Sequence, residues 1–196
     1  ATFNTNLIIL NGFLVALLVG TILLMLPVSS ASGNGTDFIT ALFTATTSLC
    51  VTGLVVVPTY AYWSIFGKVI ILILIQLGGL GIISFTIGFL IIIGKKISLK
   101  ERKMIQESYN LDSAQGVLKI LRKIFGITVK IEGIGAILYS IQFIPEYGIV
   151  KGICYSVFHS VSAFCNAGID IIGNDSFVKY HGNVLVNFTT VMLIIC

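Results

Sequence analysis

Two segments of this chain match each other at a fixed offset of 115 residues. Residues 41–54 (ALFTATTSLCVTGL) align with residues 156–169 (SVFHSVSAFCNAGI), and the identical pairs are Phe43/Phe158, Cys50/Cys165 and Gly53/Gly168. Each segment is predicted to be a short helix that ends in a glycine turn, and a longer apolar run follows each one. Such a duplication is typical of re-entrant loops that line a pore, and it indicates symmetry around a shared site.

The composition indicates that the chain lies mostly in a lipid bilayer. Hydrophobic residues make up 56% of the 196 residues and charged residues 10%, whereas soluble domains carry roughly 25% charge. We therefore predict an all-α polytopic membrane protein with spans at 7–26, 69–94 and 120–144. A further apolar run, 183–196, is too short to cross the bilayer, and we expect the chain to be part of a longer protein.

The basic residues are concentrated in one part of the chain. Eight of the twelve Lys and Arg residues lie between Lys95 and Lys123, and residues 1–67 contain none. By the positive-inside rule, the loop at 95–119 is cytoplasmic and the segment from Pro27 to Gly67 is external. Contact with lipid explains this charge more simply than binding to nucleic acid, which we do not expect.

The cysteines do not predict a metal site or a disulfide framework. Cys50, Cys154, Cys165 and Cys196 have no CxxC spacing and no neighbouring histidine pair. We expect no cofactor in this chain.

The two turns have the composition that a cation filter requires. Pore helices are predicted at 37–48 and 152–162, with filter loops at 49–54 and 163–169. Backbone carbonyls can replace the water of a dehydrated cation, and glycine tolerates the backbone that aims them at one axis. The negative end of each helix dipole points at its turn. Thr47, Ser48 and Ser162 are predicted to hydrogen-bond the turns from behind.

Two polar features of the spans each leave two interpretations open. The first half of the span after the first turn contains Gln76, Gly78, Gly79 and Gly81. They indicate close helix packing or room for a neighbouring pore loop, and the two interpretations are compatible. Glu132 lies within an apolar helix, where an acidic residue is by default a functional candidate. A structural ion pair or hydrogen bond is the preferred interpretation of Glu132.

The motifs ATTSLCVTGLVVVPT, IQLGGLGI and HSVSAFCNAGID resemble the first two pore units of the Ktr/Trk/HKT superfamily of potassium transporters. The chain is most similar to the N-terminal half of the bacterial Ktr-type membrane subunit. The resemblance implies four helix–pore helix–filter–helix units around one pore, two of which occur here, at 1–94 and 120–196. It also implies a carbonyl-lined filter, formed by Cys50, Val51, Thr52, Gly53, Cys165, Asn166, Ala167 and Gly168.

The family further implies uptake of potassium as the substrate across the cell membrane, with sodium dependence left open. The implied partners are a second complete subunit, as a homodimer, and a cytoplasmic nucleotide-binding regulatory ring. A sodium or non-selective monovalent cation transporter of the same superfamily is the alternative. A structural membrane subunit is a weaker one. An intramembrane enzyme built on His159, Cys165 and Asp170 is disfavoured, because His159 aligns with Thr44 in the first repeat.

Overall fold

The computed structural model describes residues 5–81, 117–173 and 176–196. These residues form α-helices and two short 3-10 helices, with no strand among them, which confirms the predicted all-α class. The α-helices are α1 (Thr5–Met25), α2 (Phe38–Leu49), α3 (Thr59–Tyr62), α4 (Ile65–Gly79), α5 (Val117–Tyr147), α6 (Ile149–Phe164) and α7 (Val184–Ile195). The 3-10 helices are Pro27–Ser29 and Ser176–Tyr180.

The long helices expose apolar side chains along their outer faces. On α1, Val15 and Ile22 are each 60% exposed, and Ile137 on α5 is 65% exposed. Within the described residues, the stretch Lys123–Tyr147 is long and apolar enough to cross a bilayer, and the other apolar helical stretches are shorter. Soluble proteins rarely expose so much contiguous apolar surface, so these faces suit contact with lipid.

The two short helices end at equivalent positions but begin differently. Asp37 caps α2 by accepting a hydrogen bond of 2.9 Å from the Thr40 N–H, and this bond lowers the pKa of the Asp37 carboxyl. The predicted helix 37–48 corresponds to α2, and the predicted helix 152–162 lies inside the longer α6. Gly148, with φ +82°, separates α6 from α5. The last residues of α2 and α6, Leu49 and Phe164, are 115 residues apart.

Helix α4 differs from the predicted span 69–94 at both ends. It begins at Ile65, after Ser64 accepts a hydrogen bond from the Gly67 N–H, and it ends at Gly79. Glycines lower helix propensity, and Gly81 takes a left-handed φ of +75°, so the run of glycines ends the helix. Residues 82–94 lie outside the described residues.

Helix α5 is longer than the predicted span 120–144. It begins at Val117 and continues through Pro145 to Tyr147. It therefore includes the last residues of the predicted cytoplasmic loop 95–119, whose residues 95–116 lie outside the described residues. Pro145 lies in the last helical turn, two residues before the end of α5.

The repeat loses its 115-residue register after the second turn. Ser64 caps α4 and Asn183 caps α7, and these two positions are 119 residues apart. Gly182, which the 115-residue offset pairs with Gly67, lies in the turn before α7 instead of inside a helix. The predicted run 183–196 therefore corresponds to α7, but with four extra residues in the loop that precedes it.

The two halves of the chain meet through α4. Helices α1, α2 and α4 pack together, α5 packs against α6 and α7, and α4 also contacts α6. The larger buried cluster contains side chains of both halves, including Ile75 from α4 and Phe158 from α6. This arrangement brings the two glycine turns together.

Candidate functional site

The two turns have matching backbone conformations at three equivalent positions. Each short helix is capped by a cysteine in the right-handed region, Cys50 or Cys165. The next residue is left-handed in both turns, with φ +55° at Val51 and +58° at Asn166. Two residues later, the glycines are also left-handed, with φ +75° at Gly53 and +65° at Gly168.

Matching backbone hydrogen bonds close both turns. The Thr52 N–H donates to the Thr47 carbonyl at 3.0 Å, and the Ala167 N–H donates to the Ser162 carbonyl at 2.7 Å. In each case the hydrogen bond closes a six-residue turn that contains a left-handed residue. This is the Schellman arrangement, which ends helices. The chain therefore leaves each short helix at a defined angle.

The predicted supporting side chains have different partners. The hydroxyls of Thr47 and Thr52 lie 2.7 Å apart, and Ser162 donates to the carbonyl of Ile169 at 2.6 Å. Thr47 and Ser162 occupy equivalent positions, and each bonds to its own turn. Ser48 instead donates to the Thr44 carbonyl within α2, because the hydroxyl of a helical serine can reach the carbonyl four residues earlier.

The two turns touch each other at their glycines. A Cβ on Gly53 would lie 2.7 Å from the carbonyl oxygen of Ala167 and 3.6 Å from the Cα of Gly168. Only a residue without a side chain fits this approach at Gly53. The carbonyl of Ala167 therefore faces the first turn at close range.

Helix α4 packs against both turns through adjacent glycines. A Cβ on Gly78 would overlap the carbonyl oxygen of Leu49, and one on Gly79 would lie 2.5 Å from the Cys165 Sγ. Of the two interpretations of these glycines, these contacts favour room for a neighbouring loop. Close helix packing alone would not bring Gly79 against the second turn.

An open cavity lies beside the two glycines. Its volume is 530 Å³, and it is lined by Gly53, Gly168, the segment 55–60, Asp170, Gly173 and Ser176. Asp170 accepts hydrogen bonds from Ser176 Oγ at 2.5 Å and from the Ile172 N–H at 3.3 Å. The cavity gives the turns access to solvent.

His159 and Cys165 do not form a catalytic pair. His159 Nδ1 donates to the Tyr155 carbonyl at 2.6 Å, and its Nε2 accepts from the Ile171 N–H at 3.2 Å. Both ring nitrogens are thus bonded to backbone groups, and the thiol of Cys165 donates to Gln76. The histidine braces the segment that follows the second turn.

Sequence reasoning missed two features of the turns. The left-handed conformation of Asn166 could have been anticipated, because asparagine tolerates this region better than other non-glycine residues. Nothing in the sequence predicts it at Val51, since β-branched residues avoid it. The bond from Ile171 to His159 was also missed, and the histidine within α6 was its signal.

We expect Val51→Asn to stabilise the protein while preserving its function. The substitution introduces the residue that the second turn has at this position, and it relieves about 1 kcal/mol of left-handed strain. Thermal melting of the purified full-length protein in detergent measures the effect. Val51→Ala is the control, because it loses the same packing but tolerates this conformation less well than asparagine. A lower melting temperature for Val51→Asn than for Val51→Ala would contradict the strain argument.

The sequence of the chain is similar to those of known transport proteins. The chain is 45% identical over 188 residues to the potassium/sodium uptake protein NtpJ of Enterococcus hirae, covering 96% of this chain and 42% of that protein. It is 39% identical over 193 residues to the Ktr system potassium uptake protein B of Bacillus subtilis, covering 98% of this chain and 43% of that protein. The Ktr system potassium uptake protein D of the same organism is 37% identical over 191 residues, covering 97% of this chain and 42% of that protein.

The chain spans about two fifths of the length of these relatives. A family model, described as TrkH, cation transport protein, matches residues 1–196. The match covers both glycine turns and the helices around them, and the family consists of transport proteins rather than enzymes. The chain therefore belongs to the TrkH family of cation transport proteins.

Proposed function

We propose that this chain supplies half of a potassium pathway, with residues 50–53 and 165–168 as two segments of its selectivity filter. The supporting observation is that each turn places a left-handed glycine three residues after the cysteine that caps its helix, and that the two turns touch each other at these glycines, Gly53 and Gly168. A left-handed residue at 51 or 166 is by itself a common way to end a helix. Two equivalent glycine segments in contact are suited to face one ion pathway, because each has to present its carbonyls to the same axis.

The turns can stabilise a cation although they carry no fixed negative charge. Helices α2 and α6 lead into the turns with their C-terminal ends, where the helix dipole is negative. Carbonyl oxygens then supply the ligands, and residues 50–53 and 165–168 contain no ionisable carboxylate that would hold the ion too tightly. No resident cofactor is required, and potassium is the substrate.

The resemblance to the potassium-transporter superfamily implies that glycines at both filter positions favour potassium over sodium. The three relatives compared here are named as potassium or potassium/sodium uptake proteins. A sodium or non-selective monovalent cation pathway is the second proposal, which the name of the Enterococcus relative favours. The filter carbonyls serve either ion, so the ratio of the two uptake rates decides between them.

We further propose that this chain is part of a multi-pass protein of the cell membrane. The ion would enter its pathway from outside the cell. The cavity beside Gly53 and Gly168 is then the outer mouth, and the loop 95–119 is cytoplasmic. Two of the relatives are named as proteins of a Ktr system, which supports assembly with other components. A homodimer of complete subunits on a cytoplasmic nucleotide-binding ring is the assembly that we propose.

Uptake assays on the complete polypeptide test this function. Potassium-uptake-deficient cells and liposomes would carry the wild type, Gly53→Ser or Gly168→Ser, with potassium and sodium fluxes measured separately. We expect the wild type to restore potassium uptake and both variants to lower the potassium-to-sodium ratio by about tenfold or more, as expected for the loss of about 1.4 kcal/mol of discrimination.

Gly33→Ser is the matched control. Gly33 also has a left-handed φ of +72°, but no atom lies within 4 Å of its Cβ position. It therefore bears the conformational cost of serine without disturbing the turns. If both filter variants kept the wild-type flux and ion ratio, as we expect for Gly33→Ser, the filter assignment would be wrong.

A further inference from the structure

A chain of polar side chains connects the second turn to helix α5 through helix α4. The thiol of Cys165 donates to Gln76 Oε1 at 3.5 Å. The same amide donates through Nε2 to Glu132 Oε1 at 2.8 Å. Three elements that are distant in sequence are therefore joined by two hydrogen bonds. We call Cys165, Gln76 and Glu132 the polar strut.

The strut has a fixed orientation. If the Gln76 amide were reversed, its carbonyl oxygen would face the carboxylate of Glu132 and its NH₂ group would face the thiol. The carboxylate accepts only from a donor, so the amide nitrogen has to point to α5 and its oxygen to Cys165. The orientation of the Cys165 thiol is therefore set by Glu132, although the two side chains are not bonded directly.

Glu132 is itself held in position. The hydroxyl of Ser160 on α6 donates to the backbone carbonyl of Glu132 at 2.6 Å. Gly135, one turn further along α5, allows this approach, since a Cβ there would lie 2.5 Å from the Ser160 hydroxyl oxygen. Among the described residues, the only ion pair joins Glu146 and Lys179, so the bonding partner of Glu132 in this part of the chain is a neutral amide.

We propose that Glu132 is a positioning residue for the second filter segment, acting through Gln76 on Cys165. Cys165 is 8% exposed, and it is the residue at which α6 ends and the turn begins. Holding its side chain against α4 fixes the start of the segment that ends at Gly168. This inference rests on the proposed function, and it adds a role in potassium binding for residues outside the turns.

The first turn has no equivalent of the strut within the described residues. Cys50 occupies the position of Cys165 but is exposed, and the first turn is braced instead by the hydroxyl pair of Thr47 and Thr52. The strut therefore bonds to one filter segment only. Its loss should act directly on that segment, and should reach the first one only through the contacts that the two turns share at Gly53 and at α4.

Uptake kinetics of strut variants in the complete polypeptide test the proposal. We expect Gln76→Leu and Glu132→Leu each to raise the KM for potassium about tenfold, as the loss of an outer-sphere partner does at metal sites. The maximal rate should stay within about twofold, because the pathway itself stays open. The double variant should also show about a tenfold effect rather than a hundredfold one, because both changes break the same connection.

Two further variants separate positioning from stability and from charge. Glu132→Gln keeps an acceptor at Oε1 for the Gln76 amide, and it should restore the KM to within about twofold of the wild type. Gln142→Leu is the matched control, since Gln142 is also an amide on α5 but accepts from Asn183, at 2.9 Å, away from the turns. It should lower the melting temperature without changing the KM.

The outcomes distinguish this inference from the proposed function. If Gly168→Ser changes ion preference while Gln76→Leu and Glu132→Leu behave like Gln142→Leu, the strut has no positioning role and the filter assignment stands. If Glu132→Gln raises the KM as much as Glu132→Leu, the carboxylate acts by its charge and the proposal is overturned. If Gly168→Ser itself has no effect, the assignment of the second filter segment and the strut inference both fail.

Discussion

Gly53→Ala is expected to lower potassium uptake by roughly 100-fold, the loss that a displacement of about 1 Å causes at an active site. Gly168→Ala is expected to lower it by less than about tenfold. Both glycines have a left-handed φ, so each alanine costs about 1 kcal/mol in backbone strain. The difference lies in the neighbours. A Cβ on Gly53 would lie 2.7 Å from the Ala167 carbonyl oxygen, whereas one on Gly168 comes no closer than 3.8 Å to another residue.

Uptake in potassium-uptake-deficient cells, normalised to the amount of protein in the membrane, measures this difference. Gly33→Ala serves as the control, because it adds the same strain in open space. Equal losses for Gly53→Ala and Gly168→Ala would show that strain, and not contact between the turns, determines the effect. The proposed meeting of the two segments would then be incorrect.

Gly78→Ala is expected to be the most destabilising of the helix substitutions. The added methyl group would overlap the carbonyl of Leu49, which ends α2, and a backbone group cannot rotate out of the way. Overpacking of this kind costs about 1–3 kcal/mol, and occasionally more. Gly79→Ala also meets an obstacle, but this obstacle is the side chain of Cys165. Because the Cα of Cys165 also lies 3.3 Å from this Cβ position, we expect Cys165→Gly to rescue Gly79→Ala in part, and Gly78→Ala to have no comparable rescue.

Thermal melting of the purified protein tests both expectations. Gly133→Ala on α5 is the matched control, because nothing lies within 4 Å of the Cβ position and alanine favours a helix by up to about 1 kcal/mol. If Gly78→Ala melted at the temperature of Gly133→Ala, α4 would not be in contact with the first turn. If Cys165→Gly failed to improve Gly79→Ala, the contact at Cys165 would be the wrong explanation.

The sequence predicts the local features of the site better than the contacts between its parts. The roles of Gly53 and Gly168 can be predicted from the sequence because few residues tolerate a left-handed backbone. The helices before them can be predicted because their polar composition differs from that of the spans. The hydrogen bond between Gln76 and Glu132 cannot be predicted from the sequence, because 56 residues separate them and no local pattern indicates such a contact. The left-handed Val51 contradicts its own propensity, and only the surrounding structure can impose it.

The end of α4 and the shift in the repeat show a second limit. Apolar composition alone predicts a continuous span at 69–94, because hydropathy does not register the effect of Gly78, Gly79 and Gly81 on the helix. Likewise, the 115-residue offset pairs Gly67 with Gly182 by identity, although the loop before α7 in the second half has four more residues than its counterpart before α4. Loop lengths vary without disturbing the elements they connect, so identity beyond the turns was a poor guide to register.

Adjacent glycines of one helix contact two different turns, and this has a mechanical consequence. A rise of about 1.5 Å separates consecutive helical residues, so sliding α4 along its axis by that distance would replace the residue at both contacts at once. Neither turn can move away from α4 while the other stays fixed without opening a gap at Gly78 or Gly79. The two turns therefore respond to any displacement of this helix as a single unit, and a change that widens one of them also changes the other.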